Sequence, residues 1–557
     1  MRPRVVWLFL FLAIVQPPPS RATNPAPTSV ATFECLGLYW SAPKADDCKV
    51  QLRIVGSDQW HNALPLVYDT RDNEWRGSIV GLEPDTEYEI RLEAGTTQAS
   101  LKARTRSDRF SVGATTTLPT GNSRECVTIA KSGSPQGYHL VTPAAEGAST
   151  IDVLNRGNCL IIDADYVIVR GVELRNAATH ALLIKPGHHD IIVEQCHISG
   201  WGRFTGPASY GNLGGDQDSA IYAEEGCGYL TLQRNLIENP RGSSSDWDDG
   251  HPVGPQAISL ANSTGGNVIR YNDIGSTELH GFNDGIGGED NYSRAGSPCR
   301  DSDIYGNKIR NCWDDAIESE GSNMNVRIWG NYLDHYYNGI ATACVSHGPI
   351  YIFRNVFATS RYTQRNPIGG SCIKTGENDE FGGGRRYVFH NTALQPNGAS
   401  RAFSAHVAPD TFTRNNIFDC YDSLATSRDK PPASDYDYDF FSGEHRGIAQ
   451  ETHGFRGKVA ILETGPLEFY PAPRVAVVTN GSLSIELGNG KKRSITDPVV
   501  FIPNPVIDAG ATLPNFNDNF FAKAPDLGAF EVGCPPLEFG RNAYMKRERI
   551  WAPWEVK

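Results

Sequence analysis

Three carboxylates fall within five residues in Trp313-Asp314-Asp315-Ala316-Ile317-Glu318, with Asp284 upstream and Lys374 downstream in Cys372-Ile373-Lys374-Thr375-Gly376. Carboxylates held this close repel unless a cation lies between them, and an all-oxygen donor set suits Ca2+. Asp284, Asp314, Asp315 and Glu318 are therefore candidate metal ligands. An amine beside a bound cation has a lowered pKa and can abstract a proton, which makes Lys374 the candidate base. Arg354, Arg361, Arg365, Arg385 and Arg386 occur in the same stretch and suit a substrate that carries carboxylates. Plainer roles stand beside these: Asp-Asp pairs make turns, lysines are mostly solvated, and arginines form ordinary ion pairs.

These residues matter jointly only if the fold brings them together. Beyond about residue 115, segments of the form Asn-x-aliphatic recur at Asn235, Asn272, Asn307, Asn331, Asn355, Asn391 and Asn416, with spacings of 37, 35, 24, 24, 36 and 25 residues. A second apolar anchor runs in phase at Ile221, Ile258, Ile286, Ile317, Ile340 and Ile373, with Leu182 before it and Cys196 where an asparagine would stand. Two strands per unit of about 24 residues, joined by turns, predict an all-β solenoid, a right-handed parallel β-helix. A propeller needs four strands per repeat and a longer period. When the anchors are aligned, the column two residues before them reads Ser219, Gln256, Asp284, Asp315, Asn338, Ser371, and the column one after reads Tyr222, Ser259, Gly287, Glu318, Ala341, Lys374. Glu318 and Lys374 then stand two coils apart, about 9–10 Å.

An acidic residue on one coil, Asp-Asp-x-x-acidic on the next and a lysine two coils later resembles family 9 polysaccharide lyases. In those β-helical pectate lyases calcium assists and the lysine is the base. The resemblance covers about 150 residues, with Glu318 standing where that family has aspartate. It implies a Ca2+-assisted lyase that cleaves a uronate-containing polysaccharide by β-elimination, with Lys374 as base and the four acidic residues as ligands. Two other readings remain open. A β-helix glycoside hydrolase would use paired carboxylates as acid and base, assisted by His280, His335 or His347. A non-catalytic glycan-binding solenoid would stack sugars on Trp201, Trp247, Tyr336, Tyr337 and Tyr362. The phrases Asp435-Tyr436-Asp437-Tyr438-Asp439 and Ala524 to Glu531 look like those ending many bacterial β-helix proteins.

Ahead of the solenoid, residues 27–108 alternate short apolar strands with turns, as a β-sandwich does. Leu82-Glu83-Pro84-Asp85-Thr86-Glu87-Tyr88 resembles the fibronectin type III signature, with Trp40 where that family buries a tryptophan. Trp60 and Trp75 are expected in its core rather than on sugars. The domain plan is a signal peptide at 1–22, the sandwich at 27–108, the β-helix at 115–440 and a β-rich extension at 441–557 that packs on the helix.

The 557 residues carry 56 Gly, 35 Pro and a net charge of −13, which excludes an all-α chain and broad electrostatic binding of nucleic acid or anionic membrane. Arg2 and Arg4 precede an apolar run from Val5 to Val15 that is too short to span a bilayer, so a secreted, extracellular or cell-surface monomer is expected, acting on an acidic polysaccharide. Export in turn predicts that most of the 12 cysteines form disulfides, with Cys35 and Cys48 the nearest local pair. Sequons stand at Asn262, Asn291 and Asn480.

Overall fold

The computed structural model describes residues 25–204, 214–288, 290–376, 380–395, 400–404, 409–421, 434–444, 451–478, 482–486, 492–496 and 499–545, with backbone alone over 476–501. The expected signal peptide and the Asn480 sequon lie outside the described residues.

Three long parallel sheets, of 10, 12 and 13 strands among the described residues, run side by side as the faces of a parallel β-helix. The anchors pair in the predicted register: Leu182 with Ile221, Ile221 with Ile258, Ile258 with Ile286, Ile286 with Ile317, Ile317 with Ile340 and Ile340 with Ile373. All are buried in one continuous apolar interior, which also takes Phe403 one coil further on. The parallel strands run from Val112 to Arg456, beyond the predicted limit at 440.

Asparagines close each coil. The backbone N–H and side-chain amide of Asn331 both donate to Asn355 Oδ1, at 3.1 and 2.9 Å, and the same amide donates to the Ile304 carbonyl at 3.0 Å. The pattern repeats from Asn235 to Asn416 and ends on Asp439, whose Oδ1 accepts both bonds from Asn416. Cys196 begins it, its N–H donating to Asn235 Oδ1. The residue before each ladder asparagine adopts a left-handed φ, for example 54° at Tyr271 and 53° at Arg354, which sets the sharp bend between two sheets.

The N-terminal sandwich has seven antiparallel strands: β1 (Thr28–Ala31), β2 (Leu36–Trp40), β3 (Cys48–Ile54), β4 (His61–Asp69), β5 (Glu74–Ile79), β6 (Glu87–Ala94) and β7 (Thr97–Arg104). They are ordered β1-β2-β5-β4-β3-β6-β7. At the corner entering β6, the Tyr88 hydroxyl accepts from the Glu83 N–H at 2.9 Å. Trp40 and Trp75 are in the core, while Trp60 lies under the guanidinium groups of Arg53 and Arg91.

This module is docked, not tethered. Phe33, Cys35 and Val80 pack on an outward aromatic file of the 12-stranded sheet that includes Tyr271, Tyr305, Trp329 and Phe353. Trp329 stacks on Tyr305 at 4.1 Å and on Phe353 at 5.5 Å. Tyr39 Oη donates to Asp301 Oδ2 at 2.7 Å, and the Ser78 N–H donates to Tyr351 Oη at 3.0 Å.

The expected disulfides are not formed: all 12 cysteines are free. Cys35 belongs to the layer between sandwich and helix, whereas Cys48 belongs to the sandwich's own core, so the proposed local pair faces two different interiors. Most of the others fill the solenoid interior as small apolar groups.

After three two-stranded antiparallel sheets, residues 504–545 return along the outside of the helix as a strap. Ala511 O accepts from Asn415 Nδ2 at 2.8 Å, and the Ala529 N–H donates to Thr392 Oγ1 at 2.8 Å. The Gly540 N–H donates to Gly306 O at 2.8 Å, Ala543 O accepts from Arg234 Nη1 at 3.0 Å, and Arg541 Nη2 reaches Glu146 at 3.0 Å. No helix among the described residues is long and apolar enough to cross a membrane.

Candidate functional site

The strand Asp315–Glu318 lies in the 10-stranded sheet between Ile286–Gly288 and Asn338–Thr342, followed by Ser371–Thr375. Glu318 pairs with Ala341, and Ala341 pairs with Lys374, as the aligned columns predict. Because Ala316 and Ile317 both point inward, Asp315 and Glu318 on either side of them project outward, and Asp284 joins them from the coil below.

The carboxylates form two triads that share Asp315: Asp284, Asp314 and Asp315, and Asp315, Glu318 and Glu320. Within each triad one ligand atom per residue lies within 4.8 Å of the others. All five residues are buried. Asp284 is fixed by accepting the Asp315 N–H at 3.0 Å on Oδ1 and Gln256 Nε2 at 3.1 Å on Oδ2. Asp314 accepts Asn338 Nδ2 at 3.3 Å and faces His251 Nε2 at 3.4 Å. Glu318 accepts Asn291 Nδ2 at 2.8 Å on Oε1 and the Gly288 N–H at 3.3 Å on Oε2. Glu320 accepts the Ala343 N–H at 3.0 Å.

Lys374 Nζ lies 2.9 Å from Asp315 Oδ2 and 3.4 Å from Glu320 Oε1. The other Asp315 oxygen, Oδ1, is buried with no hydrogen-bond partner. An unbonded carboxylate oxygen inside an all-oxygen cluster fits a hard divalent cation such as Ca2+.

Crowding sets the protonation. Burial, and then the charges of Glu318, Asp314 and Asp315, push Asp284 well above the usual carboxylate range. Asp314 is likewise raised, by burial and then by Asp315. Burial, then Glu320 and Asp315, take Glu318 to about 8. Burial also raises Glu320, against the pull of Lys374. For Lys374, burial disfavours the ammonium, yet the charges of Asp315, Glu320, Asp314 and Glu318 outweigh it and hold the amine well above its ordinary value. This reverses the lowering expected from the sequence, because the nearest charges are carboxylates.

The five arginines do not converge on this cluster. Arg354 donates to Ala529 O at 3.0 Å and serves the strap. Arg361 lies over the Trp313 ring at 4.1 Å and donates to Glu278 and Asn311, which fixes the bend just before Asp314. Arg365 Nη1 donates to Asp248 O at 2.6 Å and ties loop 358–370 to loop 240–255. Arg385 pairs with Asp410 at 2.6 Å, in a cleft lined also by Arg71, Arg76 and His347 of the sandwich–helix junction. Arg386 is fully buried and donates to the Thr342 and Gly376 carbonyls, both at 2.9 Å, holding the ends of the strands that carry Ala341 and Lys374.

The aromatic candidates divide similarly. Trp201 and Tyr336 are core residues and Tyr362 is exposed. Trp247 stacks on Tyr337 at 5.4 Å and meets His251 at 5.0 Å, forming a wall beside Asp314. His335 meets Asp334 and His347 meets Asp72, neither of them in the cluster. His251, on loop 240–255, touches the cluster at Asp314.

Sequence reasoning also missed Glu320, whose signal was its spacing two residues beyond Glu318, and Asn291. Arg401 pairs with Ser371 and so continues the Asp315 column. Its coil is anchored by Phe403, outside the isoleucine series.

No protein-family model matches the chain, and no curated protein matches it. Among solved structures it is similar to pectate lyase Pel9A, at 14% identity over 76% of this chain and 86% of that one, with a TM-score of 0.36. It is also similar to XylC in complex with xylose, at 10% identity over 93% and 88% with a TM-score of 0.32. A third is the catalytic domain of a GH87 alpha-1,3-glucanase in complex with nigerose, at 10% identity over 79% and 91% with a TM-score of 0.29.

Proposed function

We propose that the protein is a calcium-assisted lyase that cleaves a uronate-containing polysaccharide by β-elimination, with Lys374 as the base and Asp284, Asp314, Asp315 and Glu318 as cation ligands. The observation that carries this reading is the position of Lys374: its amine lies 2.9 Å from Asp315, the residue common to both acidic triads. A base at this point acts on a group held by the cation site.

Calcium, when bound, neutralises the uronate carboxylate, acidifies the proton at C5 and offsets the carboxylate field that keeps Lys374 charged. Lys374, having given its extra proton to solvent, would take the C5 proton on Nζ, the electron pair would form the C4–C5 double bond, and the glycosidic oxygen would leave C4 and take a proton from water. Asp315 and Glu320 aim the amine. Arg386 holds the backbone on either side of it.

A hydrolase reading draws on Glu318, which at about 8 is protonated near neutrality, as a general acid is. Both of its oxygens, however, accept hydrogen bonds, from Asn291 and Gly288, an arrangement suited to a fixed ligand rather than to a proton donor. The deciding experiment incubates the protein with a panel of uronate polymers, with and without EDTA, and follows the ultraviolet absorbance of unsaturated sugar ends. Chelator-sensitive absorbance supports the lyase. Reducing ends without absorbance establish the hydrolase instead.

A further inference from the structure

Among the carboxylates of the cluster, Asp314 is the one whose placement strand geometry leaves open. Asp315 and Glu318 are set by the pairing of the strand that carries them, whereas Asp314 stands one residue before that strand. It follows a bend at Asn311, where φ is 70°. The Asp314 N–H donates to the Asn283 carbonyl at 3.0 Å, and the Asp314 carbonyl accepts the Asn338 N–H at 2.9 Å. Three stretches of chain on neighbouring coils therefore meet at this residue: 278–283, 311–313 and 335–338.

One buried guanidinium reaches all three. Arg361, 7% exposed, donates through Nη2 to Glu278 Oε2 and to Asn311 Oδ1, both at 2.9 Å. Its Nε donates to the His335 carbonyl at 3.0 Å, and its own N–H donates to the Tyr336 carbonyl at 2.5 Å. The guanidinium carbon lies 4.1 Å from the centre of the Trp313 ring, the residue before Asp314. The same ring packs on Gly281, where a Cβ would come within 2.9 Å of Trp313 Cδ1. The fork is a planar, five-donor group used on three separate segments, which a point charge could not imitate.

We infer that Arg361 is a positioning residue of the cation site: it joins the three stretches that meet at Asp314, and through Asp314 it sets how tightly the site takes a divalent cation. This deepens the proposed function and rests on its reading of the carboxylate cluster. Charge and position act in opposite directions here. As no more than a positive charge near the carboxylates, Arg361 repels a metal ion, so that removing it would tighten binding. As the group that fixes a ligand, it favours the metal, and its loss weakens binding even where the charge is kept.

The test titrates the full chain, without substrate, with calcium by calorimetry and with terbium by luminescence sensitised through tryptophan. Arg361→Lys, which keeps the charge and loses the fork, is expected to weaken both ions about 10-fold, and Arg361→Met up to about 100-fold. Glu278→Ala, at an exposed residue, frees one arm of the fork without threatening the core and should weaken them in the same direction. In the Asp314→Asn background, adding Arg361→Lys should change affinity by no more than about twofold, because the two act through one ligand. Unchanged affinity in Arg361→Lys and Glu278→Ala, tighter binding in Arg361→Met, or additive losses with Asp314→Asn would overturn the assignment. A lower melting temperature with unaltered metal affinity would do the same, by showing a role in the fold alone. Wild type that takes up neither ion removes the inference together with the cation site. Metal affinity that depends on Arg361, with no unsaturated product from any uronate polymer, refutes the lyase and leaves the positioning role standing. Elimination with calcium affinity indifferent to Arg361 does the reverse.

Discussion

At the scale of single residues, Lys374 is the point where stability and chemistry meet. It lies against two of the five buried carboxylates, Asp315 and Glu320, so alanine at this position removes a counter-charge as well as a base. Lys374→Arg separates the two roles, because a guanidinium keeps the charge but does not deprotonate. Elimination is expected to fall between about 10²- and 10⁴-fold in Lys374→Arg, the range for a general base, with its melting temperature close to wild type. In Lys374→Ala a similar loss should come with a lower melting temperature. Glu318 gives the pH dependence. Its folded pKa of about 8 lies above the unfolded 4.5, so its contribution to stability is complete below about 4.5 and is lost as pH rises through about 8. Without metal, the melting temperature should therefore fall as pH rises between about 4.5 and 8. Calcium should raise it more at the alkaline end, where the ligands are ionised and repel most. A scan in EDTA and in excess calcium reads both. A midpoint that rises with pH without metal would contradict the raised carboxylates.

At the scale of elements, the ladder asparagines hold the coils in register. Removing the Asn331 side chain strands two buried donors of Asn307, its N–H and its amide, which both end on Asn331 Oδ1. At about 1–3 kcal/mol for each orphaned group, Asn331→Ala should cost about 2–6 kcal/mol in denaturant unfolding, well above a surface substitution. This element was legible in the sequence, because its period is written in one residue type and its apolar anchors fix the columns that place Asp315, Glu318 and Lys374. What was not legible follows from the same logic. Arg354, Arg385 and Arg386 stand close to Lys374 in sequence, but each coil turns through three faces, so adjacency along the chain says little about the face. The place of Arg401 in the column was hidden because its coil replaces isoleucine with Phe403. The disulfides failed for a different reason: cysteine count and compartment are compositional signals and carry no distances.

At the scale of the whole molecule, the sandwich and the strap cover surfaces that the coils leave apolar or unsatisfied. The sandwich has its own core, so residues 25–108 expressed alone should fold. The remainder, without them, would expose the file of Tyr271, Tyr305, Trp329 and Phe353 and should self-associate. Sedimentation of the two fragments checks this, and a monomeric, soluble remainder would show that the aromatic face needs no cover. The strap has a consequence in time as well as in space. Residues 504–545 are translated after every coil they cross, from the one at Asn415 back to the one bearing Glu146. Coils can stack as they leave the ribosome, but the seam along their bends stays bare until residues 504–545 emerge. A chain that stops short of residue 504 would then hold a stacked solenoid with an unfastened edge, which a protease could read.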